Sequence, residues 1–328
     1  MSIKDKPVGF AIIGCGMMGQ RHVEILRATP GAGVVCVFDR SQENARKFAG
    51  DAKVAATYEE VLRQPGVDAV VIGLPSGLHA EFGIKAAQAG KHVVTEKPID
   101  IEPSAGQRLA AACEEAGVVC AVISQNRFAD GTAALKAALD RGDLGKPVLA
   151  RASVKWFRHD QYYTGSDWRG TIRGEGGGVL MNQAIHNMDL MCWLLGPPVS
   201  VKGLIRSNRE VMETEDVGIA AMEFPNGVLA TFEASTSTFP GFEERIEVHS
   251  QIASCIVEKG QIVYWKHAED KPQPIPPSFE PPTPGLSAKY ELFQRQYRNI
   301  LAAIAGTEPL AVTPQQAIDV LVATKAIY

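Results

Sequence analysis

The sequence predicts an α/β protein of two domains: a mostly parallel, doubly wound sheet in residues 1–126 and an α+β domain with a large, mostly antiparallel sheet in 127–328. Three observations carry this. At 328 residues the chain exceeds one ordinary core. Up to Ile123, short apolar runs alternate with helical stretches, the grammar of β-α-β units. Beyond Asp130, longer strand-like runs succeed one another through short turns, which describes antiparallel pairing.

The first element is the apolar run Phe10–Ile13, followed at once by Gly14-Cys-Gly16-Met17-Met18-Gly19 and a helix over Met17–Ala28. A G-x-G-x-x-G between a buried strand and a helix has three uses: Gly14 permits the tight turn, Gly16 lets backbone approach a pyrophosphate, and Gly19 lets helix pack on strand. The helix start, at Met17 and Met18, aims its unpaired N–H groups at the phosphates. The next run, Val34–Phe38, ends in Asp39, where a carboxylate accepts hydrogen bonds from ribose hydroxyls and repels a 2′-phosphate. A tight turn in some other α/β fold is the alternative, against which strand, helix and acid stand together. The reading is a Rossmann dinucleotide-binding domain with NAD as cofactor. Arg40 and Ser41 keep NADP as the less favoured option, since an Arg there can pair with the phosphate.

Ser41 and Thr57 each stand where an N-cap is needed, before helices to Ala49 and over Tyr58–Gln64. Strands follow at Asp68–Leu74, His92–Thr95 and Val118–Ile123, with helices to Gly90 and over Pro103–Ala116 between them. Ligands bind beyond the carboxyl ends of such strands, which marks Leu74-Pro75-Ser76-Gly-Leu-His79, Glu96-Lys97-Pro98 and Ser124 to Arg127, with Asn126, as candidate cofactor or substrate positions. Lys97 is the sharpest: a Lys at a strand end facing a cleft can exchange protons, and a solvated surface Lys is the equal alternative. Pro98 biases Lys97 toward extended geometry.

The second half begins with a helix to Arg141. Strand-like runs follow at Val148–Trp156, Val199–Ile205, Asp216–Phe224, Val228–Ser237, Glu244–Ser250, Ala253–Lys259 and Gln261–Trp265. Phe224-Pro-Asn-Gly-Val228 is a hairpin signal. Seven prolines between Lys271 and Gly285 mark an irregular excursion, with a proline-rich ligand segment as the lesser reading. Helices over Ser287–Ala305 and Gln315–Tyr328 close the sequence. The last ends without a Gly or other stop signal, which leaves open a continuation of a few residues in the natural chain.

Composition narrows the function. A net charge of -4 and a pI near 6.0, without a Lys/Arg run, give no footprint for nucleic acid. No apolar stretch reaches the ~18 residues of a membrane span, and the N-terminus shows no signal-peptide pattern, so no membrane partner and a cytoplasmic location are expected. The six cysteines form no C-x-x-C pair, which argues against a disulfide framework or structural zinc. Cys15, in the phosphate turn, reads as filling a backbone-defined position.

The second informative stretch is Gly174-Glu-Gly-Gly-Gly178-Val-Leu-Met-Asn182-Gln-Ala-Ile-His186-Asn-Met-Asp189. On one helix starting near Gly178, Asn182, His186 and Asp189 share a face at i, i+4, i+7, above apolar Leu180, Met181, Ile185, Met188 and Met191. His186 is either a satisfied interfacial histidine or a proton-transfer partner. One imidazole and one carboxylate are too few for a metal, and none is expected.

Gly14-x-Gly16-x-x-Gly19, Glu96-Lys97-Pro98 and Gly176-Gly-Gly-Val-Leu-x-Asn182-Gln-x-x-His186-x-x-Asp189 together resemble the Gfo/Idh/MocA oxidoreductase family, over essentially the whole chain. The resemblance implies a Rossmann domain, a C-terminal domain whose open sheet forms a homo-oligomer interface (dimer or tetramer), and NAD(P)-dependent oxidation or reduction of a sugar, cyclitol or related polyol at a secondary hydroxyl. It implies that Lys97 and His186 are catalytic. Where inositol dehydrogenase-like members often carry Asp, this chain has Asn182, which takes no proton at neutral pH and becomes a substrate hydrogen-bonding group. Tyr162-Tyr163-x4-Trp168-Arg169 looks like the family's loop over nicotinamide and substrate, so Tyr163, Trp168, Arg169 and Arg127 join Asn182 as substrate-binding candidates. Core packing is the other reading of the aromatics. A dinucleotide-sensing relative without turnover and a dihydrodiol or biliverdin-type reductase share the fold.

Overall fold

The computed structural model describes residues 6–328, which form two compact units. The first comprises the chain up to Gln125 together with Phe279–Ala317, and the second comprises Asn126–Ser278 and Ile318–Tyr328. The first boundary falls at Gln125/Asn126, one residue from the 126/127 division read from sequence. The segment 279–317, which the sequence reading gives to the C-terminal domain, belongs to the first unit. Periodicity marks such a helix as amphipathic but does not say which core its apolar face enters.

In the first unit, strands β1 (Val8–Ile13), β2 (Ala32–Phe38), β3 (Lys53–Val54), β4 (Ala69–Ile72), β5 (His92–Thr95) and β6 (Cys120–Val122) make one sheet in the order β3-β2-β1-β4-β5-β6. Every pair is parallel. Continuous apolar runs make the strands, because both faces of a parallel sheet are covered. The covering helices are α1 (Met17–Ala28), α2 (Gln42–Ala49), α3 (Tyr58–Arg63), α4 (His79–Gln88) and α5 (Pro103–Glu115). Ser41 and Thr57 cap α2 and α3 by accepting the N–H of Asn44 and Glu60.

The unit is completed from far along the chain by the helix Glu291–Ile304, α11 in chain order. Its Phe293, Tyr297 and Ile300 enter the core of Phe10, Ile12, Leu26 and Val71. Buried amides anchor it: Gln296 accepts the N–H of Ser124 (3.0 Å) and donates to the Val122 carbonyl (2.8 Å), so it finishes the end of β6. Gln294 donates to the Ala28 carbonyl at the end of α1 (3.0 Å). The proline segment is irregular, and Arg298 donates to its Glu280 and Pro281 carbonyls.

The second unit carries β7 (Pro147–Lys155), β8 (Ser200–Arg206), β9 (Val217–Phe224), β10 (Val228–Ser235), β11 (Arg245–Ser250), β12 (Ala253–Glu258) and β13 (Gln261–His267). They form a seven-stranded sheet in the order β13-β12-β11-β7-β10-β9-β8. It is antiparallel except at its centre, where β7 pairs parallel with β10. A long crossover separates those two strands in sequence, as parallel pairing requires. Asn226 (φ 67°) and Gly227 (φ 77°) turn the β9–β10 hairpin in the left-handed region, which Asn and Gly tolerate.

One sheet face packs on α6 (Asp130–Asp140), α9 (Val179–Asn182), α10 (Ile185–Leu195) and the end of α12 (Pro314–Lys325); the short helices α7 (Gln161–Thr164) and α8 (Ile172–Glu175) lie between β7 and α9 in sequence. The other face is open. On it Leu149 and Leu229 stand on adjacent strands, as do Ile219 and Leu204, all four exposed. Arg151, Glu233, Glu247 and Arg245 form an ion-pair network on the same face. The single helix expected from Gly178 is broken: the amides of both Gln183 and Ala184 bond to the Val179 carbonyl, and α10 starts afresh at Ile185. Asn182 therefore ends α9, while His186 and Asp189 belong to α10.

Candidate active site

In the first unit the glycine turn joins β1 to α1. Gly14 has φ 91°, and its N–H donates to the Phe38 carbonyl (2.8 Å). A Cβ on Gly19 would lie 1.9 Å from the Gly14 carbonyl oxygen, so helix packs on turn as only glycine allows. A Cβ on Gly16 would meet nothing within 4 Å. Gly16 is thus not required by the protein's own packing, and it caps α1 without a side-chain hydrogen bond. An open cradle before uncapped helix N–H groups fits a pyrophosphate. Asp39 accepts from Cys15 N–H through Oδ2 and from Ser41 N–H through Oδ1, both at 2.7 Å. These bonds fix its carboxylate at the end of β2 and leave lone pairs for ribose hydroxyls. Burial, with Asp39 and Cys36 nearby, pushes the Cys15 thiol up to about 12, so it has no thiolate chemistry. Met17 is exposed and Met18 partly so, and the Arg21 guanidinium donates to both sulfurs. Arg40 is exposed beside Asp39.

The loops after β4 and β5 are tied together. Leu74 and Pro75 are half-buried and Ser76 is buried; a 3-10 turn leads into α4. His79 is buried, its ring nitrogens 2.9 Å from the Leu74 carbonyl and 2.7 Å from that of Pro98. Its side chain bridges the loops, a different use from the cofactor contact read from sequence. Glu96 likewise turns inward: Oε1 accepts from His22 Nε2 (3.0 Å), and His22 Nδ1 accepts the hydroxyl of Tyr297 on α11 (2.9 Å). Oε2 accepts the N–H of Lys97 (3.3 Å). Burial and the Glu96 charge hold the Tyr297 phenol well above its usual range, so it remains a donor. Lys97 is half-buried where the backbone leaves β5. Sequence reasoning missed His22 and Tyr297; the sign of the first was a histidine on the apolar stripe of α1.

In the second unit Asn182 is half-buried, and its Nδ2 donates to Glu175 Oε1 and to the Tyr162 hydroxyl (3.4 Å). Gln183 donates to the same hydroxyl (3.3 Å). Glu175 was not singled out from sequence; it is 3% exposed, and its other oxygen accepts Gly170 N–H (2.6 Å). Glu215, also missed, accepts Gly178 N–H (2.8 Å) and Leu180 N–H (2.9 Å), so a carboxylate caps the short helix bearing Asn182. Burial pushes the Glu215 carboxyl up against these bonds and the Tyr328 hydroxyl, which pull it down.

His186 is half-buried on α10, whereas Asp189 one turn later is buried and receives Nε (2.9 Å) and Nη2 (2.7 Å) of Arg127. Arg127 also stacks over Trp193. The guanidinium read as a substrate donor is here one half of a bidentate buried pair, and Asp189 leaves the polar stripe with it. Tyr163 is buried with its hydroxyl on Thr236 (2.7 Å), as its core reading has it. Arg169 is half-buried between the rings of Tyr162 (4.8 Å) and Trp168 (4.7 Å), and its Nε has no hydrogen-bond partner. Asn126 is half-buried in the turn Gln125–Phe128. Among the described residues no helix is long and apolar enough to cross a membrane, and no group of three His, Cys, Asp or Glu could hold a metal.

A doubly wound parallel sheet with this turn, joined to a unit built on an open mixed sheet, defines an NAD(P)-dependent oxidoreductase. Residues 8–124 match the oxidoreductase family with NAD-binding Rossmann fold, Gfo/Idh/MocA, and 132–254 match the Gfo/Idh/MocA C-terminal domain. The chain belongs to the Gfo/Idh/MocA family. It is 32% identical over 253 residues to scyllo-inositol 2-dehydrogenase (NAD(+)) of Bacillus subtilis, covering 74% of this chain and 72% of that one. It is 31% identical over 256 residues to 1,5-anhydro-D-fructose reductase of Ensifer adhaerens, covering 75% and 74%. Among solved structures it is similar to the WlbA dehydrogenase of Bordetella pertussis in complex with NADH and UDP-GlcNAcA: TM-score 0.87, 28% identity, 99% of this chain and 95% of that one.

Proposed function

We propose that this protein is an NAD-preferring dehydrogenase that transfers a hydride between nicotinamide and a secondary hydroxyl, or the matching ketone, of a cyclitol, monosaccharide or related polyol. The observation that carries the reading is Lys97. It follows a strand end at which Glu96 accepts its N–H, with His22 and Tyr297 holding Glu96 in turn, inside a unit whose glycine turn offers a dinucleotide cradle. Bound nicotinamide supplies the hydride acceptor. Oxidising a carbinol also requires that its O–H proton leave, and Lys97 Nζ takes it, with His186 as the second proton-transfer group. Asn182 accepts a hydrogen bond from a substrate hydroxyl, and the Tyr162, Trp168 and Arg169 cluster offers ring faces and a cationic donor to the polyol. Asp39 selects NAD by its charge. The exposed leucine and isoleucine rows of the open sheet suit a homo-oligomer interface.

The test is a panel of scyllo-inositol, myo-inositol, glucose, 1,5-anhydro-D-fructose and a nucleotide-sugar acid, read by nicotinamide absorbance, with wild type and Lys97→Met. Turnover of at least one polyol is expected. The variant should bind NADH normally while kcat falls roughly 10²- to 10⁴-fold, the range for losing a positioned base. No turnover across the panel overturns the substrate class, and a near-wild-type kcat in Lys97→Met removes Lys97 as base.

A further inference from the structure

Asn182 ends the short helix α9, and the structure places a carboxylate directly behind it. Glu175 is nearly inaccessible, with one oxygen on Gly170 N–H (2.6 Å) and the other on Asn182 Nδ2. The two ends of an Asn side chain have nearly the same size, so packing alone does not choose which faces inward. A carboxylate does choose. It accepts and never donates when ionised, so the NH2 end must face Glu175; the Tyr162 hydroxyl, which takes either role, follows that choice by accepting from the same nitrogen. The amide is planar, so Oδ1 is turned the opposite way.

We propose that Glu175 is a positioning residue: it orients the Asn182 amide so that position 182 presents an acceptor to a substrate hydroxyl, reproducing the acceptor face of an aspartate without its charge or its titration. The inference rests on the reading above that Asn182 contacts substrate. Its charge-assisted bond is of the kind that fixes geometry. A purely structural role, closing the Gly170–Gly176 loop, would use the bond to Gly170 alone. The amide introduced by Glu175→Gln keeps its oxygen on Gly170 N–H and so turns its NH2 toward Asn182, which draws Asn182 Oδ1 inward and takes the acceptor away from substrate.

The two roles separate in a double-mutant cycle. Glu175→Gln should raise KM for the panel compound that wild type turns over fastest by about tenfold, equivalent to one oriented hydrogen bond, with kcat changed less. Asn182→Asp should also lose kcat/KM, since its carboxylate meets that of Glu175, and like charges in one site oppose each other. Glu175→Gln with Asn182→Asp should recover KM to within about threefold of wild type, because an aspartate beside the uncharged amide restores an oriented acceptor. NADH affinity, governed by the first unit, should be the same in all four proteins and serves as the folding control. Losses that simply add in the double variant overturn the proposal. If no panel compound is turned over, the functional reading has failed by itself, and the cycle is read in melting temperature. Asn182→Asp must then melt below the double variant. Equal or reversed values sink the Glu175 assignment.

Discussion

Gly16 and Gly19 lie three residues apart in one motif, yet a Cβ would meet open space at the first and backbone at the second, and alanine at each should separate cofactor binding from stability. A Cβ at position 19 would sit 1.9 Å from the Gly14 carbonyl oxygen, about 1 Å inside the 3.0 Å that real Cβ contacts respect. The obstacle is backbone, so α1 must move off β1. Overpacking of this kind costs about 1–3 kcal/mol, which for units of this size lowers Tm by roughly 2–12 °C. At position 16 the Cβ meets nothing within 4 Å and φ is -70°, which alanine adopts freely. Gly16→Ala should therefore melt within about 2 °C of wild type. Its methyl fills the cradle before the α1 N-terminus, and losing one charge-assisted hydrogen bond there costs about 1.5–3 kcal/mol, which weakens NADH roughly 10- to 150-fold. The assays are a melting curve without ligand and an NADH fluorescence titration. Unaltered NADH affinity in Gly16→Ala, or melting as low as Gly19→Ala, would refute the division of labour.

Two further perturbations test the surrounding supports. Asp39→Ser removes the charge that opposes a 2′-phosphate while keeping an oxygen acceptor near Cys15 N–H, so the ratio of NADP to NAD dissociation constants should fall by at least about tenfold; an unchanged ratio in paired titrations would clear Asp39 of that role. Tyr297→Phe keeps the ring against Phe10 (6.0 Å between centroids) but strips His22 Nδ1 of its donor, which should cost about 1–3 kcal/mol. A variant whose urea midpoint equals that of wild type would show that the hydroxyl does not support His22.

The parallel sheet, the glycine turn, both capped helices and the Asn-Gly hairpin were legible because each rests on local chemistry: apolar runs, caps and positive-φ residues. Three features were not. The return of Glu291–Ile304 to the first unit depends on which core accepts Phe293, Tyr297 and Ile300, a long-range choice. The parallel contact of β7 with β10 hides behind strands that look like a simple meander. The break at Gln183–Ala184 leaves no Gly or Pro in the sequence to announce it, so the polar stripe was drawn on one helix when it spans two. At the site, residue types in motifs were readable, but the direction each side chain faces was not. Glu96 and His79 look like cofactor contacts by position, yet both turn into the protein.

That inward turn has a physical logic. Among the described residues the buried acids are Glu96, Asp100, Glu175, Asp189, Glu215 and Asp216. Taking a carboxylate out of water is unfavourable unless hydrogen bonds replace the lost hydration, and an apolar residue of similar volume often serves stability as well or better. If these acids served stability alone, they would have no reason to cluster beside the two motifs. All but Asp216 do: Glu96 and Asp100 flank Lys97, with Asp100 accepting Ala80 N–H at the head of α4 (3.0 Å). Glu175, Glu215 and Asp189 bracket Asn182 and His186. Four of the five accept backbone N–H groups, of Lys97, Ala80, Gly170, Gly178 and Leu180, while Asp189 holds the Arg127 guanidinium. Glu96 holds the main chain that bears Lys97, Glu215 holds the helix that bears Asn182, and Asp100 and Glu175 hold neighbouring loop and helix amides. Catalytic geometry tolerates errors well under 1 Å, and a carboxyl oxygen that accepts a backbone N–H defines position more tightly than apolar contact does. If Lys97 and Asn182 meet substrate as proposed, the desolvation carried by these five carboxylates is placed where positional accuracy, rather than folding free energy, is the quantity required.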